Sequence, residues 1–258
     1  DMLIKKTFLF ILIALVVILT IGIFNIFVMP FVYWNQQPPK SLDIWVIDKT
    51  VPDFSYREHR GFMWVLNHMK INNIKTAKPF NTSMDYYGFI PIDKEKHEIR
   101  TIPQDESVPD LIYITDAYGV YEDDYLKQNN KGTRSGLIYG GLNQSELSII
   151  KNNLSKGNTI IGEFNAASSP TNVETRQEMS NVFGVNWSGW NGRYYLDLTK
   201  DVEIPVWVVD NYEKQNNAKW NFYGKGFVLA NDLTDQIVVL EKGKDIGKND
   251  MIINFKEK

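Results

Sequence analysis

The spacing of apolar and polar positions divides this chain into stretches with different periods. Residues 8–28 run FLFILIALVVILTIGIFNIFV, with polar side chains only at Thr20 and Asn25. A helix of that length reaches about 30 Å at 1.5 Å per residue, enough to cross the hydrocarbon core of a bilayer. Lys5 and Lys6 precede the run, and Tyr33 and Trp34 follow it, where aromatic side chains anchor to headgroups. Under the positive-inside rule the N-terminus is cytoplasmic and everything past Trp34 lies outside. The run is too long for a cleaved secretory signal, and the bulky VMPFVYWNQQPP after it offers no small-x-small site. Residues 1–34 therefore read as an uncleaved, single-pass signal anchor in the cell membrane. Asn25 lies near the outer end of the span, close enough to reach the interface. The linker at 35–41, NQQPPKS, has two prolines that favour a short, stiff tether.

Beyond the linker the pattern becomes that of alternating strands and helices. Residues 42–48 (LDIWVID) form an almost continuous apolar run ending in an acid, as in a strand buried on both faces. Residues 57–71 carry Phe62, Val65, Leu66 and Met69 at helical spacing. Residues 86–92 and 98–102, separated by DKEKH, predict a hairpin or edge extension, and 111–115 (LIYIT) a second buried strand. A short strand at 137–139 leads through Gly140 and Gly141 to Asn143, which stands three residues before Glu146 as in a capping box. Leu147, Ile150 and Leu154 line the helix that follows, Gly157 stops it, and 159–164 (TIIGEF) predict another buried strand. Thr171, with Glu174 three residues on, signals a further helix that runs to Gly184. Strand, helix, strand with short connections implies right-handed crossovers and a parallel sheet. Past Gly184, residues 185–198 are aromatic and glycine-rich, 205–215 read as a short helix, and 226–230, 236–241 and 251–255 as strands. The fold class expected is thus α/β, a mostly parallel sheet with helices on both faces. Its core would occupy 42–185 of an extracytoplasmic domain spanning 42–258, with an aromatic-rich β extension at 186–258.

Charge and composition narrow the functions. The 28 basic and 31 acidic residues leave a net charge of −3, without the basic excess that meets nucleic-acid phosphates, so no nucleic-acid partner is expected. Removing residues 1–34 takes away two lysines and one aspartate, which makes the ectodomain slightly more acidic. Anionic lipid would repel such a surface, so the domain is expected to be held off the membrane. The absence of cysteine excludes disulfide scaffolds, thiolate-bound metals and thiol nucleophiles. Walker, GxGxxG and GxSxG patterns are absent as well, and no cofactor is expected. His59 and His68, nine apart, fall on opposite sides of their helix and His97 stands alone, so the histidines suit solvated or core-edge positions better than zinc. Ser168 and Ser169 follow a strand, but no later histidine exists to activate a hydroxyl. Of the N-x-[ST] matches at Asn81, Asn143, Asn153 and Asn186, Asn143 is better explained as a helix cap.

The stretch GGLNQSELSIIKNNLSKGNTIIGEFN, with LIYITDAYGVY upstream, resembles the turn, capped helix, Lys-Gly and strand unit of class I glutamine amidotransferase-like domains. The resemblance covers roughly residues 42–185 and implies a flavodoxin-like sheet. It does not extend to activity, because those enzymes use a cysteine nucleophile with a downstream His and Glu. This chain has no cysteine, and its last histidine is His97. An anchored domain of this kind with NVFGVNWSGWNGRYY after its last crossover also resembles modules of bacterial exopolysaccharide systems.

Two groups of residues are candidates for chemistry. Asp48, Asp116 and Glu163 end or follow predicted strands, and open parallel sheets bind ligands at that edge. If the strands are neighbours the carboxylates converge, and such a set can serve as general acid and base or hold a hard cation through oxygen. The preferred account is simpler, that they bond loop or helix N–H groups. Trp187, Trp190, Arg193 and Tyr194, in WSGWNGRYY, form the second group: aromatic faces stack on sugar rings, and Arg193 can bond hydroxyls or a carboxylate. Packing against the open side of the sheet is the competing and preferred role.

These readings lead to a non-catalytic, membrane-anchored binding or scaffold module of bacterial cell-envelope or exopolysaccharide machinery, with a glycan or an envelope protein as partner. The alternative is a carboxylate-based or metal-assisted glycan hydrolase using Asp116 and Glu163. Because the chain starts with Asp and ends at FKEK without a closing element, a further C-terminal domain is also an expectation.

Overall fold

The computed structural model describes residues 2–246 apart from 105, 106, 128, 130, 131, 164, 168, 186 and 200–202. The chain opens with two consecutive helices, α1 (Met2–Phe27) and α2 (Met29–Gln36), and a short strand, β1 (Lys40–Leu42). Strand β2 (Ile44–Asp48), helix α3 (Arg57–His68) and strands β3 (Ile71–Asn73), β4 (Lys78–Pro79), β5 (Tyr87–Pro91) and β6 (His97–Arg100) follow. Next come β7 (Leu111–Asp116), β8 (Val120–Tyr121), β9 (Leu137–Tyr139), α4 (Gln144–Ser155), β10 (Thr159–Gly162) and α5 (Val173–Phe183). The last described elements are β11 (Trp190–Tyr195), α6 (Val206–Asn216), β12 (Gly226–Asn231) and β13 (Ile237–Glu241). The strand expected at 251–255 lies outside the described residues.

The chain divides into two units, Asp1–Leu42 with Trp64–Phe80, and Asp43–Met63 with Asn81–Lys258. In the first, α1 is apolar on every side with its side chains exposed, and residues 4–36 are helical over a length and hydropathy sufficient to cross a membrane. Its two polar interruptions are satisfied within the helix: Thr20 Oγ1 donates to Val16 O and Asn25 Nδ2 to Ile21 O, each at 2.8 Å. Such internal bonding is what lipid demands of a polar side chain. The seam at Val28 precedes Pro30, which has no N–H and so suits the first turn of α2. Helix α2 takes in Asn35 and Gln36, and β1 takes in Lys40 and Ser41, so the segment read as a linker shrinks to residues 37–39. Strand β1 pairs parallel with β3, which pairs antiparallel with β4, and Leu66 and Phe80 are buried in this unit.

The second unit is built on a five-stranded sheet in the order β10-β7-β2-β5-β6. Strands β10, β7, β2 and β5 are parallel and β6 closes the edge as the antiparallel arm of a hairpin with β5. All five residues of β2 are buried, as its unbroken apolar run requires. Trp45 and Ile47 of β2 and Ile112 and Ile114 of β7 share a core with Leu147 and Ile150 of α4 and Met179 of α5. The intervening Tyr113 stacks instead on Phe62 of α3, ring centroids 3.8 Å apart, so helices cover both faces.

Two expectations are corrected here. Strand β9 is not part of the parallel sheet but pairs with β8 in a separate ribbon, so the crossover runs from β7 through α4 to β10. The N-cap of α5 is Asn172, whose side chain accepts from Thr175 N, whereas Thr171 Oγ1 accepts from Leu142 N. The capping box of Asn143 and Glu146 is present on α4, and Gly184 ends α5 in the left-handed conformation. Beyond α5, β11, β12 and β13 form an antiparallel sheet whose core with α6 includes Tyr195, Val208, Trp220 and Val228. The WNGRYY segment is therefore the first strand of this sheet.

Candidate functional site

Strands β2, β7 and β10 are parallel neighbours, so the chain leaves all three at one edge. The connections from β2 and β7 lead to opposite sides of the sheet, to β5 and to β10, which makes the β2/β7 boundary the switch point where open α/β sheets form a crevice. Asp48 and Asp116 are register partners there, both almost wholly buried.

Asp48 is engaged on both oxygens: Oδ1 accepts from Thr50 N at 2.9 Å, and Oδ2 lies 2.6 Å from His59 Nδ1. His59 Nε2 is 2.8 Å from Thr82 O, and because a carbonyl only accepts, that nitrogen carries a hydrogen. His59 is fully buried beside Tyr86, ring centroids 4.4 Å apart, so it is a core residue and not the solvated or core-edge one expected. Burial, reinforced by the Asp48 charge, pushes the Tyr86 hydroxyl far above its ordinary range.

Asp116 Oδ1 accepts from Thr50 Oγ1 and from Tyr118 N, both at 2.7 Å, and Oδ2 accepts from Asn165 Nδ2 at 2.8 Å. Thr50 Oγ1 in turn accepts from Gly119 N at 2.7 Å, so one hydroxyl ties the two strand ends to the loop after β7. Burial raises the Asp116 carboxyl above its usual value despite these donors. Glu163 is exposed and accepts from the Tyr113 hydroxyl, whose titration burial and that bond push upward.

Beside the acids lies an ion pair that the sequence did not reveal. Lys49 Nζ donates to Glu146 Oε2 at 2.7 Å and to Gly141 O at 2.6 Å, and both side chains are about as buried as the core. Glu146 also accepts from Asn143 N at 2.9 Å, so one carboxylate caps α4 and holds the lysine. Burial holds Lys49 below the ordinary lysine value against the opposing pull of Glu146.

Two clefts open near this edge. One, of about 390 Å³, is mostly apolar and is lined by Met179, Phe183, Val185 and Trp187, with Glu163, Ser180 and Asn191 as its polar members. The Arg176 guanidinium lies 4.5 Å from the Trp187 ring centroid and donates to Thr171 O at 2.8 Å, and burial lowers its pKa. The other cleft, of about 560 Å³, begins at Tyr118, two residues past Asp116. Its aromatic walls are Tyr118 and Tyr121, centroids 5.0 Å apart, and Trp207, which carries the Arg134 guanidinium 4.2 Å from its ring centroid. Asn129, Thr133, Ser135, Asp124, Asp232 and Asp235 supply polar groups, and Arg134 pairs with Asp235 at 2.9 Å. Burial pushes the Tyr121 hydroxyl up to about 12.

Of the second group of candidates, Trp187 lines the smaller cleft, while Trp190, Arg193 and Tyr194 are not among the described lining residues of either. Trp190 is half-buried opposite Asn231 on β12, Tyr194 packs on Phe227 with centroids 4.9 Å apart, and Arg193 pairs with Glu203 at 3.1 Å. Among the described residues no three His, Asp or Glu side chains form a group able to hold a metal ion. Ser169 lines the larger cleft, and Ser168 lies outside the described residues.

Compared with family models, with curated proteins and with solved structures, the chain finds no match in any of the three.

Proposed function

We propose that this chain is a non-catalytic, membrane-anchored binding module of bacterial cell-envelope or exopolysaccharide machinery. On this reading residues 1–34 hold it in the membrane with the N-terminus cytoplasmic, and the larger cleft binds a saccharide outside. The observation that carries the reading is the lining of that cleft, where Tyr118, Tyr121 and Trp207 stand among amide, hydroxyl and carboxylate groups. Aromatic faces meet the C–H faces of sugar rings, and short polar side chains meet hydroxyls. Three carboxylates against one arginine favour a neutral or amine-bearing saccharide over an acidic one. The strand order supports a flavodoxin-like body, and the capped α4 followed by Lys156 and Gly157 supports the amidotransferase-like arrangement without its cysteine.

The test is calorimetry with neutral, amine-bearing and uronic-acid oligosaccharides. Saturable binding of the first or second kind that is lost in Trp207→Ala and Tyr118→Ala, and kept in Trp190→Ala, is the expected outcome. Binding confined to uronic acids, or unaffected by both cleft variants, overturns the assignment.

The hydrolase alternative draws support from Asp116, whose raised carboxyl is what a general acid needs. Against it, both Asp116 oxygens already accept from Thr50, Tyr118 and Asn165, and Glu163 accepts from Tyr113. Turnover of any oligosaccharide that falls at least a hundredfold in both Asp116→Asn and Glu163→Gln would favour the enzyme.

A further inference from the structure

The end of the membrane helix is held by the chain itself. Trp34 Nε1 donates to His68 O at 2.5 Å, and the Trp34 and His68 rings stack with centroids 5.9 Å apart. His68 stacks in turn on Trp64 at 4.9 Å, almost parallel at 6°. Lys70 Nζ lies 4.5 Å from the Trp34 ring centroid and donates to Asn35 O and Gln37 O, each at 2.9 Å. These contacts fix residues 64–70 beside the last turn of α2.

Their depth follows from helix length. From Lys6 to Trp34 the rise is about 42 Å at 1.5 Å per residue, close to the ~40–45 Å of a bilayer with its headgroups. With Lys6 at one interface, Trp34 and whatever is bound to it stand at the other. What residues 64–80 present there is apolar and cationic. Trp64 is 65%, Met69 62% and Ile74 52% exposed, and the segment contains Lys70, Lys75 and Lys78 with no acid, in a chain whose net charge is negative. Exposed indole and aliphatic groups in a segment that carries lysines and no acid suit the boundary between acyl chains and phosphates.

We infer that residues 64–78 form a second membrane contact, a surface that lies in the headgroup layer where the chain leaves the bilayer and that favours anionic phospholipid. It rests on the reading of residues 8–28 as a membrane span, and it replaces the expectation of a domain held clear by a stiff tether. Trp64, Met69 and Ile74 sit at the level of the headgroups, and Lys75 and Lys78 meet the phosphates.

The absence of native cysteine makes the test direct. The full chain is reconstituted in vesicles of phosphatidylcholine with about a third phosphatidylglycerol, with spin labels placed singly by Val17→Cys, Met69→Cys and Ile74→Cys. Accessibility to oxygen and to a water-soluble nickel chelate then gives the depth of each label. Expected are a deep value at 17 and headgroup values at 69 and 74, the latter shifting toward water in Lys75→Gln/Lys78→Gln. If position 17 is deep while 69 and 74 match free label in buffer, the surface contact is refuted and the anchor stands. Headgroup values at 69 and 74 that do not move in the double lysine variant remove the preference for anionic lipid. A water-exposed label at 17 refutes the span, and the surface contact with it.

Discussion

Lys49 shows how one side chain can matter at several levels. Its ammonium, 3% exposed, joins the residue after β2 to the capping carboxylate of α4 and to the turn at Gly141. Removing it leaves Glu146 charged and buried, so Lys49→Met is expected to cost about 3–5 kcal/mol in urea unfolding. The pH dependence has a definite sign. Burial lowers the folded-state pKa of Lys49 below the ordinary 10.5, so over the window between those values the unfolded chain binds more protons. Stability therefore gains from this group as pH rises through that window, and Lys49→Met is expected to lose that gain. Nothing in the sequence announced the pair, because its partners are 97 residues apart and a long-range contact leaves no local period. His59 was closer to legible. It stands four residues before Met63 and seven before Leu66, both buried, so it occupies the buried stripe of α3. Its partner Asp48 was visible only as an acid ending a strand.

At the scale of elements, the local signals, the β5–β6 hairpin and the parallel run of β2, β7 and β10 were legible, and the partner of β9 was not. The unbroken apolar run of β2, the capping box of α4 and the glycine stop of α5 are written in neighbouring residues, and each is present. Strand β9 has strand-like residues, but its partner β8 is two residues long and carries no pattern of its own, so the sequence could not say which sheet β9 joins. The cap lies one residue on, at Asn172, because Thr171 is also a capping type with Glu174 at capping-box spacing, and only the third dimension gives Thr171 its other bond. Gly88 tests the pairing of β2 with β5. Its φ is +139°, and a Cβ there would meet Asp48 O at 1.8 Å. Gly88→Ala is expected to destabilise the chain by about 3 kcal/mol, the upper end of core overpacking, with the loss seen in the urea midpoint. An unchanged midpoint would mean the two strands do not approach so closely.

For the whole molecule, the apolar N-terminal helix and the α/β body were both legible, since each depends on composition and period over many residues. The larger cleft was not, because its walls come from segments around residues 118, 134, 207 and 235 that only folding brings together. The anchor reading makes an expected outcome of topology. Tyr223 is 65% exposed, so Tyr223→Cys in intact cells should react with a membrane-impermeant maleimide. Labelling only after lysis would reverse the orientation, and release of the full chain by alkaline carbonate would dismiss the span.

The proline at the seam between the two N-terminal helices bears on which membrane the chain prefers. Pro30 has no N–H to offer the carbonyl four residues back, that of Ile26, and such a carbonyl is best placed where water can reach it. From Phe8 to Ile26 the helix rises about 27 Å, near the hydrocarbon thickness of a thin bilayer. The seam thus acts as a depth gauge. If residues 8–28 span a bilayer, a thicker one would draw the Ile26 carbonyl into hydrocarbon and would have to thin locally around the chain, and hydrophobic matching would then favour a thinner membrane.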